Sequence, residues 1–324
     1  MKDLVACEFH LIGIEGGEKE LRMVSSLMAG YATKGQGAGP LIVTERAGLF
    51  EKYGLHVQTR LMGGARGVVR GLMSGEIQFG NLAAPNMMRL SLEENLDLVY
   101  LTGGINQQFL VGRPGIASVE QLTGRTFGVP GDGGLSDVMA DFVIDRLKLQ
   151  GIRPVQMSAE EGVRLTGLIN GECDATILTP PDAMEARKRG CRFLVDFTDY
   201  GMNFALGGIA SRRSYISKNM EITKSFIKAY AEGMHRYRTD RNFTVKVQAE
   251  YSTLSDPSIA EETYDITVAG MPKVPFPKLE ALRAALKVMA KELPLAAKAD
   301  PRQFVDDSVL QELDADGFIA GLYR

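Results

Sequence analysis

The segment "GLMSGEIQFGNLAAP" occupies residues 71–85, and "GLINGECDATILTPP" occupies residues 167–181. Aligned without gaps at an offset of 96 residues, both read Gly-Leu, then Gly-Glu, then a Leu, then Pro. In each copy an apolar helical pattern ends at a Gly suited to a helix C-cap. A short apolar run follows, and then a Pro suited to the first turn of a helix. The repeat therefore predicts the same helix–strand–helix unit twice in one chain.

The sequence around the two copies continues this alternation. The stretch "GPLIVTERAGLFEKYG" (39–54) predicts a helix from Pro40 to Gly54, and "LHVQTRLMGG" (55–64) predicts the next strand. In the second half, "TFGVPGDGG" (126–134) predicts a strand and a turn before a long helix. Strands that alternate with helices form mostly parallel sheets flanked by helices. Two such runs predict an α/β protein with two similar lobes.

The order of these elements also predicts the domain boundaries. We expect an N-terminal extension (1–20), a first lobe with a helical C-terminal tail (21–108 and 208–324) and a second lobe (109–207). The chain then crosses between the lobes near Gly112 and near Gly207-Gly208, where glycines interrupt the strand pattern. Two crossings form a two-stranded hinge, which suits closure around a ligand.

Composition and charge exclude several functional classes. The chain has 324 residues, a net charge of −3 and no basic stripe interleaved with aromatic residues, so we expect no nucleic-acid partner. Cys7, Cys173 and Cys191 have neither disulfide nor zinc spacing, which favours packed free thiols. We expect no metal site and no cofactor. No apolar run is long enough to span a membrane.

The N-terminus leaves the compartment open. The stretch "MKDLVACEFHLIGIEGG" (1–17) has a Lys followed by Asp and a broken apolar run, unlike a secretory signal. We expect a periplasmic or extracytoplasmic protein if a leader is missing from this chain, and a cytoplasmic one if Met1 is the true start. In both cases we expect a monomer.

Helix N-termini at the carboxyl ends of strands are the expected binding sites, because their unpaired N–H groups attract anions. In the second lobe, "PGDGGLSD" (130–137) turns from strand into helix, and its glycines permit close approach of a ligand; a capping role for Ser136 is the alternative. In the first lobe, "ELRMVSSL" (20–27) predicts the first strand, and the overlapping Gly-rich stretch "SSLMAGYATKGQGAGP" (25–40) is predicted to be a loop that joins this strand to its helix and lines the ligand. It lacks P-loop spacing around Lys34.

The repeat and the hinge contribute further polar groups. Arg66 follows Gly64 on the first turn of its helix and is the basic residue expected to pair with an anion. Polar residues also follow the strand of each repeat copy and precede the first crossing. The complete set of candidate ligand-binding residues is Ser26, Tyr31, Gln36, Gly64, Arg66, Asn81, Ala83, Asn106, Gly131, Gly133, Gly134, Ser136, Thr179 and Asp182.

Three stretches together resemble a known family. The stretch "GPLIVTERAGLFEKYGLHV" (39–57) resembles the first helix and second strand of the NMT1/THI5-like and sulfonate-, taurine- and nitrate-binding group, with His56 where an acidic residue is usual. The two Gly-Glu segments and "GVPGDGGLSDVMADFVI" (128–144) resemble other parts of that group. The resemblance implies a two-lobed type II periplasmic-binding-protein fold. It also implies capture of a small anionic or aromatic organic ligand for an ABC permease.

The resemblance leaves alternative functions open. Enzymes of the same fold act on small organic acids as decarboxylases or lyases, and a pyrimidine synthase of the group carries a cysteine cluster that this chain lacks. His10, His56 and His235 do not combine with a nucleophile into a catalytic set. The sequence therefore favours a binding protein without catalytic residues, with an enzyme or a soluble ligand sensor as alternatives.

Overall fold

The computed structural model describes residues 25–104, 107–131, 134–158, 160, 162–200, 208–252 and 256–324. Its strands are β1 Ser25–Tyr31, β2 Leu55–Leu61, β3 Phe79–Leu82, β4 Leu98–Tyr100, β5 Phe109–Gly112, β6 Thr126–Val129, β7 Arg153–Gln156, β8 Ala175–Leu178, β9 Arg192–Asp196 and β10 Gly208–Arg212. Its helices are α1 Gly39–Arg46, α2 Leu49–Lys52, α3 Ala65–Ser74, α4 Ala84–Glu94, α5 Leu135–Arg146, α6 Val163–Asn170, α7 Pro180–Lys188, α8 Arg213–Lys218, α9 Met220–Thr239, α10 Arg241–Ser252, α11 Pro257–Ala269, α12 Leu279–Met289, α13 Ser308–Ala315 and α14 Phe318–Leu322.

The described strands form two sheets of the same design. The first has the order β2-β1-β3-β10-β4, and the second has the order β7-β6-β8-β5-β9. In each sheet the first three strands are parallel, and the fourth is antiparallel to both of its neighbours. The strands of the repeated segment, β3 and β8, are the central strands of their sheets. The predicted pair of similar α/β halves is therefore confirmed.

The chain passes between the sheets twice. It leaves the first sheet after β4 and enters the second at β5, and it returns between β9 and β10. The crossings lie just ahead of the predicted positions, because Gly112 ends β5 within the second sheet and Gly208 begins β10 within the first. We call the first sheet with its helices lobe 1 and the second sheet with its helices lobe 2.

Glycines end the first helix of each repeated unit, and prolines begin the second. Gly75 (φ 80°) and Gly171 (φ 79°) end α3 and α6 in the left-handed conformation, which glycine adopts without strain. Prolines occupy the first turns of α4 and α7, where a missing N–H costs no hydrogen bond. Both features were predicted from the sequence, and both are confirmed.

The first strand continues to Tyr31, past its predicted end at Leu27, so the predicted loop at residues 25–40 is shorter than expected. Residues 25–31 form β1, which pairs with both β2 and β3, and only residues 32–35 join it to the 3₁₀ helix Gln36–Ala38. The small residues of this stretch suggested a loop, but here they serve close packing. A Cβ on Gly30, for example, would lie 2.7 Å from Met62 Cγ. Pairing on both sides overrides the local loop signal.

The predicted helix at residues 39–54 is interrupted. Helix α1 ends at Arg46, and Gly48 adopts a left-handed conformation (φ 66°) before the short helix α2 begins. The glycine that the sequence pattern placed inside one helix therefore divides two helices.

The C-terminal helices contact both lobes. Leu286 of α12 belongs to the same buried cluster as Met88 of α4 in lobe 1 and Met139 of α5 in lobe 2. On the opposite side, Arg187 of α7 forms a 2.6 Å salt bridge with Glu262 of α11. The tail, assigned to lobe 1 from the sequence, therefore packs against lobe 2 as well.

The structure also locates two of the three cysteines. Cys173 and Cys191 are free and buried, as predicted, and burial raises the pKa of the Cys173 thiol to about 11. Cys7 lies outside the described residues. Across the described ranges, no helix has the length and apolar character needed to cross a membrane.

Candidate functional site

A cavity of about 160 Å³ lies between the two lobes, and we call it the inner chamber. The N-cap residues of α3, α4, α5 and α7 all line it, because each helix begins where a strand of its sheet ends. Converging helix N-termini create a positive potential that favours an anion. The lining residues are Ala32, Thr33, Gly35, Gln36, Gly37, Ala38, Gly64, Ala65, Asn81, Leu82, Ala83, Asn86, Gln108, Pro130, Gly134, Leu135, Ser136, Arg164 and Thr179.

Half of the candidate residues from the sequence come together at this chamber. Lobe 1 contributes residues at or just after the carboxyl ends of β1, β2 and β3, and lobe 2 contributes residues at the starts of α5 and α7. They are Gln36, Gly64, Asn81, Ala83, Gly134, Ser136 and Thr179. Segments that are far apart in the sequence therefore meet at one cavity, although their contact with a ligand stays a prediction.

A second cavity, of about 460 Å³, opens beside the first and shares Ala32, Thr33, Gly64, Ala65 and Asn86 with it. We call it the outer chamber. Its charged lining residues are Lys34, Arg66, Arg89 and Glu160. Arg66, predicted to pair with the ligand, is thus placed in the outer chamber, where it is exposed.

Two candidates from β1 lie away from the inner chamber. Ser26 is near the amino end of its strand, opposite His56 of β2, whereas the chamber lies at the carboxyl end. Tyr31 is at the carboxyl end, but its ring packs into the cluster formed with α1 and α9. Burial, followed by the nearby Glu45 carboxylate, raises the pKa of Tyr31.

The turn before α5 differs in detail from the prediction. The Asp137 carboxylate accepts hydrogen bonds from the backbone N–H groups of Gly131 (2.9 Å) and Gly134 (3.3 Å). Gly131 lines a separate cavity of about 490 Å³ between α5 and α12. These two N–H groups therefore stabilise the turn itself. Gly133 and Asn106 lie outside the described residues.

The most informative residue of the chamber, Arg164, was not predicted. It lies in the first turn of α6, is only 9% exposed and lines the inner chamber. Its Nε and Nη1 donate to the carbonyls of Ile177 and Ser158, both at 3.3 Å, and its Nη2 donates to Ser136 Oγ at 3.4 Å. Within the described residues, no carboxylate lies within salt-bridge distance of Arg164.

Asp182 is a described acidic residue that interacts electrostatically with Arg164, but the two do not form a salt bridge. Burial raises the pKa of Asp182, although the Gly162 N–H, which donates to its Oδ2 at 2.9 Å, and the Arg164 charge both oppose the shift. The hydrogen bond from the Gly162 N–H places Asp182 at the start of α6, and no salt bridge joins Asp182 to Arg164 in the described structure.

The repeat itself contained a signal for Arg164. At the offset of 96 residues, Arg164 corresponds to Val68, which is fully buried in lobe 1. A charged residue at the position of a core valine indicates a buried charge with a function. Asp182 likewise corresponds to Asn86, which lines both chambers.

Amide side chains organise the rest of the chamber. Gln36 is 2% exposed; its Nε2 donates to the Gln107 carbonyl at 3.2 Å, and its Oε1 accepts from Thr267 Oγ1 at 2.9 Å. Gln36 therefore ties lobe 1 to the first crossing and to α11. Gln108 is 3% exposed, and its Oε1 has no hydrogen-bond partner among the described residues. A buried amide of this kind normally requires a partner, which a ligand or water would supply.

The chamber has the chemistry of a binding site. Among the described residues, His56 lies on β2 and His235 packs against Tyr323, both away from the inner chamber. The described part of the chain holds no group of three or more His, Cys, Asp or Glu residues that could bind a metal. A buried cation, hydroxyl groups and helix N-termini surround the space, which suits reversible binding of an oxyanion.

Comparisons with known proteins connect this architecture to characterised folds. The family profile described as "NMT1/THI5 like" matches residues 37–240. Over 226 residues the chain is 24% identical to the taurine-binding periplasmic protein of Escherichia coli (strain K12), covering 67% of this chain and 69% of that protein.

Solved structures share the fold at low sequence identity. The periplasmic aliphatic sulphonate binding protein SsuA from Escherichia coli gives a TM-score of 0.70 at 19% identity, over 87% of this chain and 92% of that one. The periplasmic nitrate-binding protein NrtA from Synechocystis PCC 6803 gives 0.68 at 12% identity, over 92% and 91%. Because the family profile spans more than half of the sequence, the chain belongs to the NMT1/THI5-like family.

Proposed function

We propose that this protein captures a small organic oxyanion between its lobes and delivers it to the permease of an ABC importer. The observation that carries the proposal is Arg164, a buried guanidinium that lines the inner chamber without a carboxylate partner in the described structure. An unpaired buried charge is unfavourable, so an anion that neutralises it gains affinity. The relatives bind taurine, aliphatic sulphonates or nitrate by name, and all of these carry an oxyanion group.

The surrounding groups would complete the coordination. Ser136 Oγ already accepts a hydrogen bond from Arg164, so its own O–H is oriented to donate to a ligand. Thr179, at the start of α7 in the same lobe, also lines the chamber. The ligand is thus expected to contact one cation, two hydroxyls and the N-termini of several helices, which together can replace the hydration shell of an oxyanion.

Hinge closure would trap the ligand. The two lobes are joined by two crossings, and Asn81 of lobe 1 and Arg164 of lobe 2 both line the chamber. A ligand that contacts both sides stabilises the closed arrangement. We place the protein outside the cytoplasmic membrane, by analogy with the periplasmic taurine-binding relative.

Calorimetric titration tests the proposal. Wild-type protein would be titrated with taurine, alkanesulfonates, carboxylates and nitrate, beside Arg164→Lys, Arg164→Met and the matched control Arg70→Met, an exposed arginine of α3. Truncating one partner of a buried charge pair costs about 2–5 kcal/mol, so Arg164→Met should weaken binding by at least about 30-fold. Arg164→Lys should also weaken it, because lysine lacks the planar fork.

Two outcomes would contradict the proposal. If an oxyanion binds wild type and Arg164→Met equally well, the chamber is not its site. If mass spectrometry shows that a bound acid is converted to a product, the protein is an enzyme of this fold.

A further inference from the structure

The outer chamber is too large and too basic to be explained by a single oxyanion bound at Arg164. The inner chamber has a volume of about 160 Å³, close to that of an engineered cavity of about 150 Å³ that binds benzene. It therefore has room for one acidic group and a small body. The outer chamber adds about 460 Å³, and the two cavities share lining residues.

The outer chamber contains two basic side chains for which the described residues provide no salt-bridge partner. Lys34 follows β1 and Arg66 lies in the first turn of α3; neither forms a salt bridge within the described part of the chain. Arg89, by contrast, is paired with Glu292 at 2.9 Å. Glu160 is the acidic residue on the lobe 2 side of the same lining. The lobe 1 side thus presents an excess of positive charge toward the cavity.

The lining of the outer chamber is also partly apolar. Leu90 is buried against it, and Leu61, another lining residue, is 42% exposed. Leucines in the same cavity as two cations that form no salt bridge in the described structure suit the hydrocarbon part of a charged organic molecule.

We infer that the ligand is a bifunctional anion, with one acidic group at Arg164 and a second at Arg66 and Lys34, joined by an apolar chain or ring. This rests on the proposed function, because it assumes that the inner chamber holds an oxyanion. It narrows the ligand class to dicarboxylates, sulfocarboxylates and similar dianions. A monoanion fills only the inner chamber and leaves both outer cations in water.

Matched acids test the inference. Dissociation constants would be measured by calorimetry for terephthalate with benzoate, 4-sulfobenzoate with benzenesulfonate, and C4 to C8 α,ω-dicarboxylates with the corresponding monocarboxylates. The variants would be Lys34→Gln/Arg66→Gln and the matched control Arg70→Gln, one turn further along α3 and exposed. Partly exposed ion pairs contribute up to about fivefold each. At least one diacid should therefore bind wild type about tenfold tighter than its monoacid.

The variants separate this inference from the proposed function. In Lys34→Gln/Arg66→Gln the diacid preference should fall below about threefold, while monoacid affinity stays within about twofold of wild type. Raising NaCl from about 50 to 500 mM should reduce the preference in the same way, since the outer cations are screened by salt. Arg70→Gln should behave as wild type.

Equal affinities for diacids and monoacids, or an equal loss of both in the double variant, would overturn the inference and leave the proposed function intact. If neither kind of acid binds, or if Arg164→Met binds them unchanged, the proposed function fails and the inference fails with it.

Discussion

Replacing Arg164 by methionine should weaken oxyanion binding by at least about 30-fold without destabilising the ligand-free protein. The substitution keeps a long apolar stem but removes a charge that is 9% exposed and has no carboxylate partner in the described structure. After relaxation, the desolvation penalty of a buried ion is still several kcal/mol. Hydrogen bonds offset this penalty in part.

The size of that offset follows from the distances. The three bonds of Arg164 measure 3.3, 3.3 and 3.4 Å, beyond the usual range of about 2.7–3.2 Å for N–H···O bonds. Each should therefore contribute less than about 1 kcal/mol. The two terms together predict that Arg164→Met is between about 0 and 2 kcal/mol more stable than wild type when no ligand is bound. The melting temperature should rise by up to about 4 °C.

Urea unfolding, with and without an acid identified by calorimetry, measures both effects. At a ligand concentration of 100 times the wild-type Kd, wild type should gain about 2.7 kcal/mol and the variant less than about 1 kcal/mol. Arg70→Met, on the surface of α3, controls for the loss of one arginine. A variant that loses more than about 1 kcal/mol without ligand, and that is still stabilised by the acid, would refute the reasoning. Arg164 would then be a structural residue.

Three further predictions concern stability. Desolvation raises the pKa of Asp174, but hydrogen bonds from the Thr126 N–H, the Arg113 side chain and the Thr126 hydroxyl outweigh it and lower this pKa to about 2. The stability that Asp174 contributes is therefore present above its unfolded pKa of about 3.8 and is lost as the pH falls toward 2. Asp174→Asn should therefore flatten the drop in melting temperature between about pH 4 and 2, whereas Asp314→Asn, on the surface, should not. Gly233→Ala should lower the free energy of unfolding in urea by about 1–3 kcal/mol, because the new Cβ would lie 2.8 Å from Thr44 Cβ between α9 and α1. The control Gly321→Ala has open space around the new Cβ and should be neutral or stabilising. Equal free energies of unfolding for the two variants would contradict this packing. Gly171→Ala, at φ 79° with open space around it, should cost about 1–2 kcal/mol from backbone strain alone, and a neutral result by chemical unfolding would argue against a left-handed cap.

The elements that the sequence predicted well are those whose causes are local. Helix α3 ends at Gly75 and α6 at Gly171 because a left-handed residue is needed there, and the prolines that begin α4 and α7 need only their own backbone geometry. These signals lie within a few residues of the structure they determine. The repeat of such signals at a constant offset was therefore sufficient to predict two similar α/β lobes.

The sequence was least informative where distant segments decide the outcome. Residues 25–31 resemble a loop in composition, yet they form a strand because β2 and β3 pair with both edges. The tail helices were assigned to lobe 1, but α11 and α12 also pack against α7 and α5 of lobe 2. Neither contact can be predicted from the residues of the segment that makes it.

The amino-acid sequence by itself determined the helix and strand units, their repetition and the positions of most turns at the inner chamber, since these depend on neighbouring residues. Only the tertiary structure decided which polar groups meet there. Arg164 is buried because Ser136, Ser158 and Ile177, brought in from three segments, surround its guanidinium. Burial removes the water that would otherwise screen the charge. Arg164, unlike the many arginines on the surface, is therefore the expected anchor for an anion.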